Sequence, residues 1–320
     1  MKPSKLVASL EALGERERGP VWLAVGMFDG VHSGHVSVVR LAVEGAEETK
    51  GTSAVLTFPE HPAAHLRPGR EPALLMSPKT KAAALVSAGA EQVVMLPFDE
   101  AFASISAEAF VPALKKAVPS LRAVCVGENF RFGRDRTGGV EALCRFAETH
   151  DLLVKVASSA LHDGEPVSSS RLRAALAAGE IKQVNAMLGV PYEMTGTVEA
   201  GRALGRELGF PTLNLRWAPQ ARPAYGVYCV EATIEGSGAH SFHGVANYGI
   251  RPTMQEVDEA PLLETHLLGE GDFSSFGAGD RLTVQLVRFL RPERKFTSIE
   301  ELREQIAKDK SVAEHEFFGS

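Results

Sequence analysis

The stretch Val21-Trp22-Leu23-Ala24-Val25-Gly26-Met27-Phe28-Asp29-Gly30-Val31-His32-Ser33-Gly34-His35 decides how the first half of this chain is read. Val21 to Val25 form an apolar run of buried-strand length, and Gly26 and Gly30 break it into a tight turn. Beyond the turn, Val38, Val39, Leu41 and Ala42 fit one face of a helix. The turn therefore sits at the carboxyl end of a strand, the edge where parallel sheets take their ligands. Helix-terminal amides and the helix dipole favour anions there, and glycines let the backbone approach closely. His32 and His35 add two imidazoles that donate to phosphate oxygens and, when protonated, supply positive charge. The competing reading makes both histidines surface or capping residues. A zinc pair is disfavoured, because Cys125, Cys144 and Cys229 are scattered and no further ligands come at recognised spacing. No lysine follows the turn as a Gly-rich phosphate loop requires.

At 320 residues the chain is long enough for two domains with substantial cores. A formal charge of -6, with no dense run of Lys and Arg interleaved with aromatics, argues against a polynucleotide groove. The first residues lack a secretory pattern, no run reaches membrane-spanning length, and three separated cysteines give no disulfide framework. These features lead to the expectation of a cytoplasmic protein with reduced thiols, no membrane association and no nucleic-acid partner. Protein partners and oligomeric state are left open.

The first half alternates short apolar strands with longer amphipathic stretches, the pattern of a doubly wound α/β sheet. Further strands are expected at Ala54–Phe58, Gln92–Leu96, Ala123–Val126 and Leu152–Val156, with helices at Lys79–Ser87, Ala107–Ala117 and Val140–Thr149. The pattern changes within about four residues of Gly189, which sets the expected domains at 1–188 and 189–320. The later half offers short strands with Gly-rich turns: Met194–Ala200, Tyr225–Glu231, Phe242–Ala246, Leu262–Leu267 and Leu282–Phe289. That composition suits a small antiparallel barrel or a sandwich. Ser298 reads as the N-cap of a closing helix that carries Ile299, Leu302 and Ile306.

Three more segments follow strands or open helices in the first half. Thr57-Phe58-Pro59-Glu60-His61-Pro62 leaves the second strand with its path restrained by prolines, and His61 is either a pocket wall or an exposed loop residue. Gly127-Glu128-Asn129-Phe130-Arg131-Phe132-Gly133 offers an amide, aromatic rings and a guanidinium at the same sheet edge; the alternative is a core Phe with solvated arginines. Ser168-Ser169-Ser170-Arg171-Leu172-Arg173 combines an N-cap with two guanidiniums and reads as a second phosphate grip or as a plain cap.

With Gly26, Phe28, Asp29, Gly30, His32, Gly34 and His35, then Thr57, Phe58, His61 and Pro62, these segments resemble the nucleotidyltransferase module of the bacterial bifunctional riboflavin kinase/FAD synthetase family. The resemblance implies transfer of AMP from ATP to FMN, with release of pyrophosphate. It implies that His32 and His35 hold ATP phosphates, that Asn129 fixes nucleotide or magnesium-linked contacts, and that Ser169, Arg171 and Arg173 organise the departing phosphates. Gly26, Phe28, Asp29, Gly30, Gly34, His61, Phe130, Arg131, Ser168 and Ser170 are implied around the nucleotide and flavin. Ser170 stands where threonine is common, and Asn129 where some relatives carry aspartate.

In the later half, Gly205, Arg206, Gly209, Phe210, Pro211, Thr212 and Asn214 form a Gly-flanked loop leading into an extended segment with oxygen donors at alternate positions. Such donors serve magnesium together with water and phosphates; the bland account is a β-turn that satisfies its own backbone. Glu264 and His266 share one face of an alternating strand, where a carboxylate can take a hydroxyl proton or simply be solvated. The Gly205–Asn214 residues and Glu264, with Asn247, Gly249, Arg251, Pro252 and Thr253, resemble the riboflavin kinase module of the same family. The resemblance implies ATP-dependent phosphorylation of riboflavin, Glu264 as base, Thr212 and Asn214 around Mg2+, and Arg291, Glu293, Lys295 and Phe296 on the flavin side. Leu213, where alanine is common, and an altered turn at Gly269–Gly277 are departures. The leading expectation is a bifunctional enzyme with ATP as cosubstrate and riboflavin, FMN and FAD as substrates or products. An adenylyltransferase with an impaired kinase domain and a noncatalytic flavin-responsive binding protein are the alternatives.

Overall fold

A computed structural model describes residues 5–200, 209–236, 241–250, 260–269, 273 and 275–319. They form two compact units that divide between Arg171 and Leu172. The first unit is built on a parallel sheet of β1 (Leu6–Val7), β2 (Val21–Val25), β3 (Thr52–Thr57), β4 (Gln92–Met95), β5 (Leu121–Gly127) and β6 (Leu153–Ala157). Their spatial order is β1-β4-β3-β2-β5-β6. The helices are α1 (Leu10–Arg16), α2 (Ser33–Thr49), α3 (Pro62–Leu66), α4 (Pro78–Ser87), α5 (Glu100–Ala103), α6 (Ala107–Ala117) and α7 (Val140–Glu148).

Alternation along the strands serves two cores. Val21, Leu23 and Val25 join Leu56, Val124 and Val126 under Leu13 of α1, Phe110 and Leu114 of α6 and Leu143 of α7. Trp22 and Ala24 join Val55, Ala123 and Cys125 under Val38, Val39 and Ala42 of α2 and Leu85 of α4. Each fully buried side chain of this kind contributes about 1.5–3 kcal/mol. The doubly wound expectation is therefore met. Strand and helix limits differ by one or two residues; α4 begins at Pro78 because Ser77 caps it and proline suits the first helical position. The short β1 and α1 carried too little apolar period to be read.

Chain order reverses at β2. From β2 the chain runs through β3 and β4 on one side and returns at β5 on the other. The loops after β2 and β5 leave in different directions and open a crevice at the carboxyl edge, the topological switch point.

α8 (Ser169–Ala178) spans the division, and α9 (Ile181–Leu188) follows a short Gly179 break. Before them, β7 (Leu161–His162) and β8 (Glu165–Pro166) form a small hairpin. In the second unit, β9 (Tyr192–Glu199), β10 (Leu213–Arg216), β11 (Gly226–Ile234), β12 (Ser241–Gly249), β13 (Leu262–Leu267) and β14 (Arg281–Pro292) form an antiparallel barrel. Its order is β10-β13-β12-β11-β14-β9, and pairing of Asn214 with Glu199 and Leu215 with Val198 closes it. Closure decides between the two architectures that composition left open. Tyr228, Val230, Ala246, Tyr248, Leu263 and Thr265 are buried on one shared face, and Leu213, paired with Thr265, joins them. The helix α10 (Ile299–Phe318), capped by Ser298, packs on β11 and β12.

Candidate active sites

The turn after β2 is held in a costly conformation. Phe28 and Val31 have φ of 51° and 39°, a left-handed region that disfavours side chains with a Cβ, most of all β-branched ones, and strain of this kind runs to about 1–3 kcal/mol per residue. Main-chain and side-chain partners pin it. Met27 O accepts from Thr57 Oγ1 at 2.9 Å, the Asp29 carboxylate accepts from Leu75 N at 3.0 Å, and Asp29 O accepts from Ser169 Oγ at 2.8 Å. Asp29 is thus a buried brace, and its carboxylate does not line the adjoining cavity.

His32 is the N-cap of α2, its Nδ1 accepting from His35 N at 3.3 Å. That bond assigns the remaining ring proton to Nε2. The two rings stack with centroids 3.6 Å apart, and Phe28 meets His35 edge-on at 5.4 Å. Burial lowers the His32 imidazole to about 4. His35 is held well below its ordinary value by burial, by His32 and by the Lys81 ammonium. With both pKa values lowered, the pair is neutral at neutral pH. His32 both caps α2 and lines the adjoining cavity.

A cavity of about 750 Å³ opens at the switch point. Gly26, Phe28, His32, Gly34 and His35 line it from the β2 turn, and Phe58 and His61 from the loop after β3. Asn129, Phe130, Arg131 and Phe132 line it from the loop after β5. His61 caps α3 through Nδ1, which accepts from Ala63 N at 3.1 Å. Phe130 and Phe132 stack with centroids 5.6 Å apart and planes 14° from parallel, so Phe132 belongs to the core and the cavity wall together. Arg67, at the C-cap of α3, Arg70, and Arg136, in a single 3-10 turn, add guanidiniums to the lining that no motif had flagged.

The serine/arginine segment is arranged differently from its expected phosphate grip. Ser168 Oγ caps α8 by accepting from Arg171 N at 3.3 Å. The Arg171 guanidinium donates to the carbonyls of Glu165 and Pro166 at 2.9 and 3.0 Å, strapping the β7–β8 hairpin. Ser170, Arg171 and Arg173 are absent from the cavity lining, and Gly30 contributes only backbone freedom at φ 88°.

Lys81 of α4 was missed entirely. It is 1% exposed, and its Nζ donates to Phe58 O at 2.5 Å and to Met27 O at 3.2 Å. Burial lowers its ammonium to about 8, while the Asp29 carboxylate opposes the shift. The available signal was its spacing from Leu85, four residues on, which puts it on the buried face of α4.

On the barrel, Asn214 of β10 lies opposite Glu264 of β13, and Glu264 opposite Asn247 of β12. Directly opposed residues point to the same side of a sheet, so this row faces away from the packed interior. Asn247 Nδ2 donates to Glu293 at 3.3 Å. Burial first, and Glu264 after the opposing bond from Asn247, push the Glu293 carboxyl up. His266 Nδ1 donates to Pro211 O at 2.9 Å, and its ring meets Phe210 edge-on at 5.6 Å. Thr212 immediately precedes β10, one alternate position from Asn214. Gly205, Arg206, Arg251, Pro252 and Thr253 lie outside the described residues, as does part of the 269–277 turn.

The terminal segment is tied to α10. Arg291 makes a bidentate pair with the buried Asp309, at 2.9 Å from Nε to Oδ1 and 2.6 Å from Nη2 to Oδ2. Arg291 and Arg294 both reach the Phe296 ring, at 6.0 and 4.6 Å from its centroid.

A family model described as FAD synthetase matches residues 15–171, and one described as riboflavin kinase matches residues 188–317. Curated relatives are named bifunctional riboflavin kinase/FMN adenylyltransferase. The Haemophilus influenzae protein is 35% identical over 93% of this chain and 94% of its own. The Escherichia coli protein is 32% identical over 98% of each, and the Bacillus subtilis protein 34% identical over 93% of each. A solved Streptococcus pneumoniae chain titled macrolide-efflux protein superposes with a TM-score of 0.83, 26% identity and coverage of 96% and 97%. Among the described residues no helix is long and apolar enough to cross a membrane.

A parallel-sheet nucleotide domain joined to a flavokinase-type barrel defines a two-domain transferase of flavin cofactor synthesis. The chain belongs to the bifunctional riboflavin kinase/FAD synthetase family.

Proposed function

We propose that residues 1–188 transfer AMP from ATP to FMN and residues 189–320 phosphorylate riboflavin with ATP, in the cytoplasm. The observation that supports this division is that each unit carries its own arrangement of phosphate-directed groups: stacked neutral imidazoles at a switch-point cavity, and the Asn214–Glu264–Asn247 row on the barrel.

In adenylyl transfer, an FMN phosphate oxygen attacks the ATP α-phosphorus, the bond to the β-phosphate bridging oxygen breaks, and pyrophosphate leaves. His32 and His35 donate to phosphate oxygens as charge shifts onto the leaving group. Asn129, Arg131 and the aromatic wall of Phe130 orient the nucleotide and flavin, so catalysis is alignment more than covalent chemistry. Ser169 acts through Asp29 O on the turn, and Arg171 through the β7–β8 hairpin that it straps. In phosphorylation, a ribityl hydroxyl attacks the γ-phosphorus, Glu264 takes its proton, and ADP leaves.

Thr212 and Asn214 supply hydroxyl and amide oxygens on the Glu264 side of the barrel, a donor set that suits Mg2+ completed by water and ATP phosphates. When bound, the ion neutralises phosphate charge.

The test follows riboflavin, FMN, FAD, ADP and pyrophosphate over time in the presence of ATP and Mg2+. Wild type forms FMN and then FAD. His32→Ala stops at FMN, whereas Glu264→Gln makes FAD only from supplied FMN. Riboflavin left unchanged by wild type would leave adenylyl transfer alone, and flavin binding without either product would reduce the chain to a binding protein.

A further inference from the structure

We infer that Lys81 is a positioning residue for adenylyl transfer: its buried ammonium fixes the Met27 carbonyl, and through it the left-handed turn that presents His32 and His35. The inference rests on the reading of that turn as the phosphate-binding part of the ATP site.

Lysine is among the residues least often buried without a partner, and Lys81 is 1% exposed. Filling space does not require it, since the other buried positions of α4 are Ala82 and Leu85 and an unbranched apolar side chain has the same reach. Its acceptors are main-chain carbonyls at the carboxyl ends of two neighbouring strands, Met27 after β2 and Phe58 after β3. Both residues line the cavity, so one ammonium couples two of its walls.

The turn it holds contains Phe28 and Val31 at positive φ. Strained backbone persists only where its surroundings over-determine it. Thr57, Leu75 and Ser169 contribute hydrogen bonds to Met27 and Asp29, but Lys81 alone among these adds a formal charge. That charge matters because the stacked imidazoles are neutral. The ammonium, held on the Met27 and Phe58 carbonyls, acts electrostatically on His35, favours a polyanion at the turn, and needs no reorganisation when ATP arrives. Lys81 touches the turn and not the reacting atoms, which makes it a positioning group.

Lys81→Met, Lys81→Gln and Lys81→Arg, each in the full chain, test this by steady-state kinetics of both reactions and by amide hydrogen exchange. The Met and Gln variants are expected to lower kcat for FAD formation and to raise KM for ATP, each at least tenfold. KM for FMN and the riboflavin kinase rate stay within twofold. Exchange protection falls in residues 26–35 but is kept in β2 and β5. The Arg variant, retaining a cation and donors, recovers at least fivefold over the Met variant. Wild-type kcat and KM for ATP in the Met variant would overturn the inference, whatever its melting temperature. Protection lost across the whole sheet in all three variants would also overturn it, by making Lys81 a general stability element. His32→Ala separates the two readings. If that variant still makes FAD, the phosphate-turn reading fails; if it is inactive while the Met variant is not, only the lysine inference fails.

Discussion

His32 and His35 lie face to face, ring centroids 3.6 Å apart and planes 17° from parallel. Two imidazolium ions at that separation would repel, and burial disfavours charge on either ring. The site is therefore assembled in a form that acid opposes.

The sign of that opposition is definite. His32 titrates near 6.5 when unfolded and near 4 when folded, so the unfolded chain takes up the proton first as pH falls. Its share of stability is intact above about pH 6.5 and is lost at up to about 1.4 kcal/mol per pH unit on the way to 4, roughly 3 kcal/mol in all. Urea unfolding of the first unit, followed by Trp22 fluorescence in a Trp217→Phe background, is expected to show this slope. His32→Gln should lower it by up to about 1.4 kcal/mol per pH unit between about pH 6.5 and 4.5, leaving the share of His35, which is also held below its ordinary value. An equal slope in both proteins would mean that His32 is not the group responsible.

How much of this was legible follows from which forces leave a local trace. The 107–117 helix and the Leu262–Leu267 strand were readable because each buries one periodic face, and β2 because it is a continuous apolar run ended by turn glycines. β10 was read only as an extended segment, since four residues cannot display a period and its pairing comes from sequence-distant Glu264 and Glu199. The histidines were visible as a motif, but their neutrality was not, because it arises from stacking and burial. Lys81 and the Arg291–Asp309 pair were invisible for a related reason: a charge on a helix or strand reads as solvated until tertiary packing covers it.

His266 connects the proposed base strand to the proposed magnesium segment through Pro211 O at 2.9 Å. A net hydrogen bond is worth about 0.5–1.5 kcal/mol, or roughly 2- to 12-fold in an equilibrium. His266→Phe keeps the ring beside Phe210 and removes the donor, so KM for ATP in riboflavin phosphorylation should rise by about that factor. His266→Asn, which keeps a donor, should lie between the two, and FAD formation from FMN should not change. Unaltered kinase kinetics in the Phe variant would show that the loop is set without this bond.

Gly45 lets α2 approach β2 closely. A Cβ built there would come within 2.2 Å of the Trp22 ring, which is itself fixed by Nε1 donating to Thr49 Oγ1 at 2.9 Å. Alanine favours helix by about 1 kcal/mol over glycine, but overpacking against a buried indole costs about 1–3 kcal/mol. Gly45→Ala is expected to destabilise the first unit and shift Trp22 emission, with the net sign set by the clash. A rise in melting temperature would mean that α2 slides outward without penalty.

Arg291 was expected on the flavin side, yet the structure uses its guanidinium to hold α10 through Asp309, which also accepts from Gln305 Nε2 at 2.8 Å. The two side chains are 21% and 8% exposed, so removing one partner strands a mostly buried charge. Asp309→Ala should destabilise the barrel unit by up to about 3–5 kcal/mol, because the guanidinium loses its carboxylate partner, keeps only its bond to Pro292 O, and does not regain full hydration. Arg291→Met/Asp309→Leu should recover most of that stability, since apolar pairs of similar volume replace buried ion pairs at little cost. Riboflavin phosphorylation then separates two roles for Arg291. A stable double variant with wild-type KM for riboflavin makes the arginine a clamp on α10, whereas a stable one with weakened riboflavin binding returns it to the flavin side.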